Sequence, residues 1–343
     1  MSSPRPGGGH PTVETERVDR CPSCGGGRLR RWSVASDRLH RLVDQQFVYS
    51  RCRGCKLVFL SERPTEAAAP ALYPDDYASY VAQGPLRAAP VPPLARPLAA
   101  LSRAQSRRPL DLVPKVVARA VPDRLPPALA RLYSPPGEGA TVLDYGCGRT
   151  DVLDRARDQG WDHTIGVDFT TSVLAAVAAA GHRAVAASRL DAEVADASVE
   201  LVRLNHVLEH VYDPLGLLTL LRRKTAPGGA VHVVVPNGAS AWAALFRGRW
   251  FNSDPRHLSL FRPAHVRSLS ARAGFGKVQV LHETTSRDIV RSWGYRLEDR
   301  GRIAHEQVQA LADDPARARL LWYPARASAV LGVGDRFHAV LLP

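Results

Sequence analysis

From Ala140 onward, short apolar runs alternate with longer segments of helical spacing, the pattern of a parallel sheet joined by crossover helices. Thr141-Val-Leu-Asp144 predicts a first strand that runs into the turn Tyr145-Gly-Cys-Gly-Arg149. Thr164-Ile-Gly-Val-Asp168 predicts the second, followed by an alanine-rich helix that Thr171 or Ser172 can cap. Arg183–Ala186, Glu200–Leu204 and Ala230–Val235 read as strands three to five. Asp213 and Pro214 read as the N-cap and first residue of the helix between the last two, stopped by the turn Pro227-Gly-Gly229. Pro263–Ala273 predicts a helix with Val266 and Leu269 on its buried face and Gly274 as its stop. Lys277–Leu281 would be strand six, and Arg336–Leu342 a last strand at the sheet edge. Residues 286–331, between those two, read as a helical insertion.

The first half of the chain has weaker periodicity. Residues 1–18, rich in Gly and Pro at the start, read as a disordered tail. Residues 19–62 form a compact unit holding Cys21-Pro-Ser-Cys24 and Cys52-Arg-Gly-Cys55, closed by the strand-like Leu57-Val-Phe-Leu60. Residues 63–133 are rich in Pro and Ala and read as a linker and helical cap. The α/β domain then spans 134–343, with no internal repeat.

Composition changes this picture in two places. Net charge is +13 over 343 residues, which invites a nucleic-acid partner. Only Lys56, Lys115, Lys224 and Lys277 are lysines, however, and the arginines are spread through the whole chain. No basic block with interleaved aromatics appears, so the charge reads as a composition bias and argues little for nucleic acid. The longest apolar run, Val173 to Ala180, is too short to cross a bilayer, and residues 1–10 lack a signal-peptide core. The expectation is a cytoplasmic protein with no membrane partner; its oligomeric state is not legible. Five cysteines in such a chain argue against a disulfide framework. Four of them form two pairs with zinc-ligand spacing, and the fifth, Cys147, lies in the glycine turn.

Glycines after the first strand let the backbone approach a ligand closely, and the helix beyond offers free N–H groups. Asp168 ends the next strand, 20 residues past Gly148, where a carboxylate can take both hydroxyls of a ribose. A dinucleotide would want a third glycine; this chain has Thr150 there, able to serve as helix N-cap, and then Asp151, which would repel a pyrophosphate. An adenosine carrying an amino acid has no phosphate to accommodate, and Asp144 can meet its ammonium group.

At these residues the chain resembles the class I S-adenosylmethionine-dependent methyltransferases, whose fold is a Rossmann-like sheet with helices on both faces. Leu143-Asp-Tyr-Gly-Cys-Gly148 is similar to the family's first motif and Gly166-Val-Asp168 to its second. Asn205-His-Val-Leu-Glu-His-Val-Tyr-Asp-Pro214 resembles the segment after strand four, and Ala226-Pro-Gly-Gly229 the turn before strand five. The resemblance implies S-adenosylmethionine as cofactor. Around it would stand Asp144, Tyr145, Gly146, Cys147 and Gly148, then Asp168 and Phe169, then Arg189 and Leu190 flanking the adenine, and Asn205. The four-cysteine unit (Cys21, Cys24, Cys52, Cys55) resembles the zinc ribbon that precedes many bacterial members, with Tyr73-Pro-Asp-Asp-Tyr77 near the cofactor; the zinc would be structural.

The end of strand four faces the transferable methyl in this fold, and here it carries Asn205 and His206, then Glu209 and His210. On a helical turn, His206, Glu209 and His210 share one face. His206 can act as general base, because an imidazole titrates near neutrality. Alternatively His206, Glu209 and His210, joined by His257, can hold a second divalent metal, similar to the Glu-x-x-Glu-His site of ubiquinone-pathway and small-RNA methyltransferases. Glu209 and His210 can also simply hydrogen-bond loops around the pocket. The leading expectation for the acceptor is a small molecule, sugar or natural-product intermediate, methylated on oxygen. An RNA acceptor gripped by the ribbon, and a non-catalytic module that keeps the cofactor, are the alternatives.

Overall fold

Residues 12–74 and 132–343 are described by the structure, a computed structural model. The expectations for residues 1–11, for Asp75, Asp76 and Tyr77, and for the linker and cap over 75–131 lie outside the described residues. The N-terminal strands are β1 (Thr15–Arg17), β2 (Leu29–Ser36), β3 (Gln46–Cys52), β4 (Val58–Leu60) and β5 (Glu62–Pro64). β1 falls within the stretch expected to be disordered. It is ordered because β5 pairs with it antiparallel, and Val13 beside it is buried in a cluster with Phe47, Tyr49 and Leu60.

The remainder alternates as expected. It runs through β6 (Thr141–Tyr145), α1 (Asp151–Asp158), β7 (His163–Asp168), α2 (Thr171–Ala179), β8 (Arg183–Ala186), α3 (Leu190–Glu193), β9 (Val199–Asn205), α4 (Pro214–Lys224) and β10 (Thr225–Pro236). Then come α5 (Ala241–Phe246), β11 (Ser259–Leu260), α6 (Pro263–Arg272), β12 (Lys277–Glu283), α7 (Ser286–Glu298), α8 (His305–Asp313), α9 (Pro315–Leu320), α10 (Trp322–Val330) and β13 (Arg336–Leu342). Seven strands form one sheet in the order β12-β13-β10-β9-β6-β7-β8, flanked by helices. β6 to β10 are mutually parallel, and β13 runs antiparallel to both neighbours. From β6 the chain builds outward through β7 to β8, then returns to the other side of β6 with β9. The crevice beyond the carboxyl ends of β6 and β9 is therefore the topological switch point, where open α/β sheets bind ligands.

Local chemistry explains most boundaries. The α4 helix starts where Asp213 Oδ1 accepts from Gly216 N–H at 2.9 Å, with Pro214 next and Arg222, Arg223 and Lys224 complementing the dipole at its end. Three expectations are corrected. The last strand, β13, lies inside the sheet between β10 and β12, because β12 pairs outside it. Lys224 already ends α4, and Pro227-Gly-Gly229 forms a register irregularity within β10. Thr170 is the N-cap position of α2, without a side-chain cap bond, so neither Thr171 nor Ser172 caps it.

One line of polar side chains crosses the sheet. Asp144 and Arg203 are register partners on β6 and β9, and His232 on β10 is Arg203's neighbour on the other side. Tyr133 Oη lies 2.6 Å from His232 Nδ1, His232 Nε2 lies 3.1 Å from His338 Nδ1, and His338 Nε2 reaches Glu283 at 2.8 Å. Burial pushes the His232 pKa down to about 3, and His338 and Arg203 add to that shift. Above the ordinary imidazole pKa of about 6.5 this group is neutral whether folded or not. Below it, only the unfolded chain takes the proton, so stability falls as pH drops toward 3, by about 1.4 kcal/mol per unit. Between pH 7 and pH 5, urea titrations should therefore show the wild type losing roughly 2 kcal/mol more than His232→Gln. Equal losses would mean that His232 can accept a proton in the fold.

Candidate active site

The switch-point crevice is built from two turns. Gly146 and Gly148 both have left-handed backbone, with φ of 68° and 57°, which bends the chain sharply out of β6. A Cβ at Gly146 would also come within 2.6 Å of Val207 Cγ2, so the two turns are pressed together. Asp168, buried at the end of β7, closes the far side: Gly148 N–H donates to its Oδ2 at 3.0 Å and Thr170 N–H to its Oδ1 at 2.9 Å. Each oxygen keeps a further lone pair for a hydroxyl. Phe169, next to it, is 68% exposed, and the Tyr73 ring meets it edge-on at 6.0 Å.

Other expected cofactor residues are placed less openly. Asp144 is fully enclosed, and Arg203 Nη1 donates to both its oxygens (2.8 and 3.1 Å), leaving no open carboxylate edge for an ammonium group. Burial pushes its pKa up, and Arg203 opposes the shift. The Leu190 side chain belongs to the main core, while Arg189 is turned to solvent and pairs with Glu193. Tyr145 and Asn205 are half-buried at the strand ends. Cys147 packs against Leu153 and Val173, and burial pushes its thiol up to about 12. Thr150 stands at the N-cap of α1 but makes no side-chain cap bond.

The histidine cluster is arranged differently from a helical face. His206 has left-handed backbone (φ 56°), and only Leu208–His210 form a short 3-10 turn. The kink brings His206 Nδ1 to 2.9 Å from Glu209 Oε1. Glu209 is wholly buried; burial pushes its pKa up, but the His206 bond and nearby histidines more than offset this and hold it low. A carboxylate only accepts, so Nδ1 of His206 carries the hydrogen and Nε2 keeps its lone pair. On the other side, one ligand atom each from Glu209, His210 and His257 lie within 4.8 Å of one another; His206 is not in that group. His210 Nδ1 donates to Arg256 O and His257 Nδ1 to Asn252 O, both at 2.9 Å, which leaves both Nε2 atoms as acceptors. Burial lowers the His210 pKa to about 4, and Glu209 Oε2 is buried without a hydrogen-bond partner among the described residues. Two imidazole Nε2 atoms and a carboxylate with a spare oxygen fit a divalent transition metal.

Residues 117–280 match a family model described as a methyltransferase domain. Over those residues the chain is similar to a methyltransferase domain. Similar solved structures include an S-adenosylmethionine-dependent methyltransferase from Archaeoglobus fulgidus, 18% identical, covering 59% of this chain and 85% of that one, with a TM-score of 0.40. Another is a Haloferax volcanii methyltransferase in complex with the Trm112 methyltransferase activator (18% identity, 63% and 88% coverage, TM-score 0.43). A third, an S-adenosylmethionine-dependent methyltransferase from Mesorhizobium loti, is 16% identical with 62% and 96% coverage and a TM-score of 0.40. No curated protein matches the sequence at a significant level.

The four N-terminal cysteines do gather. Cys21 Sγ lies 3.5 Å from Cys55 Sγ and Cys24 Sγ 3.6 Å from Cys52 Sγ, too far for disulfides. Each pair sits on the same kind of turn, closed by Gly25 N–H to Cys21 O and by Lys56 N–H to Cys52 O, with φ near 70° at Gly25 and at Lys56. Their sheet is completed by β11 in the order β11-β4-β3-β2, so it extends directly into the loop carrying His257.

Sequence reasoning missed the residues that hold this loop. Tyr49, buried on β3, reaches the carbonyls of His257 (2.6 Å) and Asp254 (2.9 Å) with its hydroxyl. The guanidinium of Arg256, a residue 5% exposed, donates to Asp37 at 2.8 Å, to Asp254, and to Leu72 O at 2.7 Å. Tyr73, whose hydroxyl lies 3.3 Å from His210 Nδ1, follows directly. The one readable signal was Asp254-Pro-Arg-His257, two opposite charges two residues apart beside His257. Asp37→Ala should leave Arg256 partly uncompensated in the interior and lower the unfolding free energy by about 3 kcal/mol in urea titration. A loss under about 0.5 kcal/mol would mean that Asp254 alone neutralises the guanidinium.

Proposed function

We propose that this methyltransferase acts on a hydroxyl oxygen of a small-molecule acceptor, with His206 as the base that takes the proton. The observation that carries the reading is the His206–Glu209 contact at the carboxyl end of β9: a buried carboxylate orients an imidazole whose Nε2 is free. S-adenosylmethionine, when bound, supplies the methyl group on a sulfonium. Asp168 would receive the ribose hydroxyls, the bend at Gly146 and Gly148 would admit the methionine part, and Phe169 with Tyr73 would wall the adenosine side. His206 Nε2 accepts the acceptor's proton as the new carbon–oxygen bond forms and the carbon–sulfur electron pair stays with sulfur. Diffuse arginines without an aromatic stripe support a small molecule over RNA.

A second reading rests on the unpartnered Glu209 Oε2. Glu209, His210 and His257 would hold a divalent metal that binds and polarises the acceptor oxygen. The four thiols suit zinc in a structural site. A tetrahedron with zinc–sulfur bonds of about 2.3 Å has edges of about 3.8 Å, close to the sulfur separations observed.

His206→Ala is expected to slow turnover by roughly 10²–10⁴ with S-adenosylhomocysteine affinity unchanged, whereas Asp168→Ala should weaken that affinity at least about tenfold. Full activity in His206→Ala would remove the base. Activity lost to chelator and restored by an added divalent ion would transfer the role to the metal. For the ribbon, elemental analysis should find about one zinc per chain, absent in Cys52→Ser, which should also lose stability. Zinc-free protein never exposed to chelator would refute the ribbon assignment.

A further inference from the structure

The segment after β10 and the first helix of residues 286–331 meet around a cavity away from the candidate active site. It is a half-open cleft of about 290 Å³ between the end of α5 (Leu245, Phe246), the turn Arg247–Arg249, and the end of α7 with the residues after it (Arg296, Asp299, Arg300). Four arginines line it, against one acid. That acid is already engaged: Arg38 of the ribbon donates to both Asp299 oxygens at 2.9 and 3.2 Å, and Arg249 Nε donates to it at 2.5 Å. Arg296 lies over the half-exposed Trp293 ring at 5.8 Å. Among the described residues, Arg247 and Arg300 have no carboxylate partner.

The turn is also held in place against local preference. Arg247 has φ of 50°, a left-handed backbone that glycine would adopt at less cost. A Cβ on Gly248 would come within 2.5 Å of Val34 O, so the turn is pressed onto β2 and cannot swing away. Arginines near a helix C-terminus can simply complement its dipole, which accounts for Arg296 and Arg300. Arg247 is likewise the C-cap residue of α5, so with Arg249 it brings like charge to the same space from a separate element. Guanidinium groups converging from two elements repel one another until an anion sits between them, and their forks match phosphate oxygens.

We propose that this cavity binds a phosphate-bearing small molecule. Its bounded volume and the apolar wall of Leu245 and Phe246 fit a phosphorylated metabolite, whereas a nucleic-acid backbone would need a continuous basic track. The site is independent of the methyl-transfer reading, and its test needs no cofactor.

Titration calorimetry of the full chain with inorganic pyrophosphate at low salt should give one site per chain. Arg247→Ala and Arg300→Ala should each weaken it at least fivefold, and Arg300→Lys less than Arg300→Ala, because lysine keeps the charge but loses the fork. Arg155→Ala on the exposed face of α1 should bind as wild type, and unliganded variants should keep the wild-type melting temperature. No heat with pyrophosphate up to about 1 mM would overturn the proposal. So would equal weakening by Arg155→Ala, or binding of an RNA oligomer by these arginines with no response to pyrophosphate.

Discussion

The Arg256 guanidinium has been taken out of water, and several parts of the molecule exist in their present positions to replace that water. Removing a charge from solvent costs several kcal/mol even after relaxation. Asp37 in the ribbon, the Leu72 carbonyl in the turn after it, and Asp254 in the guanidinium's own loop together supply the compensation. Burial alone would raise the pKa of Asp254, and the neighbouring guanidinium more than reverses it. None of these acceptors is sequence-adjacent to all the others, so the charge is satisfied only when ribbon, turn and loop are docked. The same docking brings the Tyr49 hydroxyl to the His257 carbonyl and Tyr73 to His210. The ribbon is therefore part of the wall of the candidate active site rather than an appendage to it.

Around that anchored loop, Glu209 is the buried group on which the proposed chemistry rests. One of its oxygens bonds His206 Nδ1, and a carboxylate oxygen lies within 4.8 Å of a ring nitrogen of His210 and of His257. Both proposed functions need an ionised carboxylate in a buried position, and the surrounding imidazoles keep it ionised despite its burial. The left-handed kink at His206 makes the first contact: an ordinary helical backbone there would carry the imidazole around the turn. Such a conformation is uncommon for a residue with a side chain, and it occurs where β9 delivers the chain to the switch point.

The sheet beneath shows why Asp144 does something other than expected. A strand buried on both faces normally reads as a continuous apolar run, yet β6, β9 and β10 each place a polar residue in register. Asp144 and Arg203 satisfy one another across the strands, Tyr133 bonds His232 beside them, and His338 and Glu283 continue the line to the sheet edge. Glu200 and Arg203 inside the fourth strand were a legible hint of this. Their partners were not, because strand order cannot be read from strand spacing.

By itself the sequence determined the alternation of strands and helices, the glycine bend after β6, the acid at the end of β7, the proline-started α4 and the two cysteine pairs. Each of these is a local matter of spacing, backbone freedom or capping, and each is found where its residues are. It also marked His206, Glu209, His210 and His257 as a group, although the helical face assumed for the first three is a kinked turn. Only the tertiary structure decided that β13 lies inside the sheet, that Arg203 occupies Asp144, and that Tyr49, Asp37 and Arg256 hold the His257 loop. Those outcomes depend on which residues distant in the chain share a buried space. A buried charge or strand edge takes whichever partner the packing brings to it, and no local pattern records that choice.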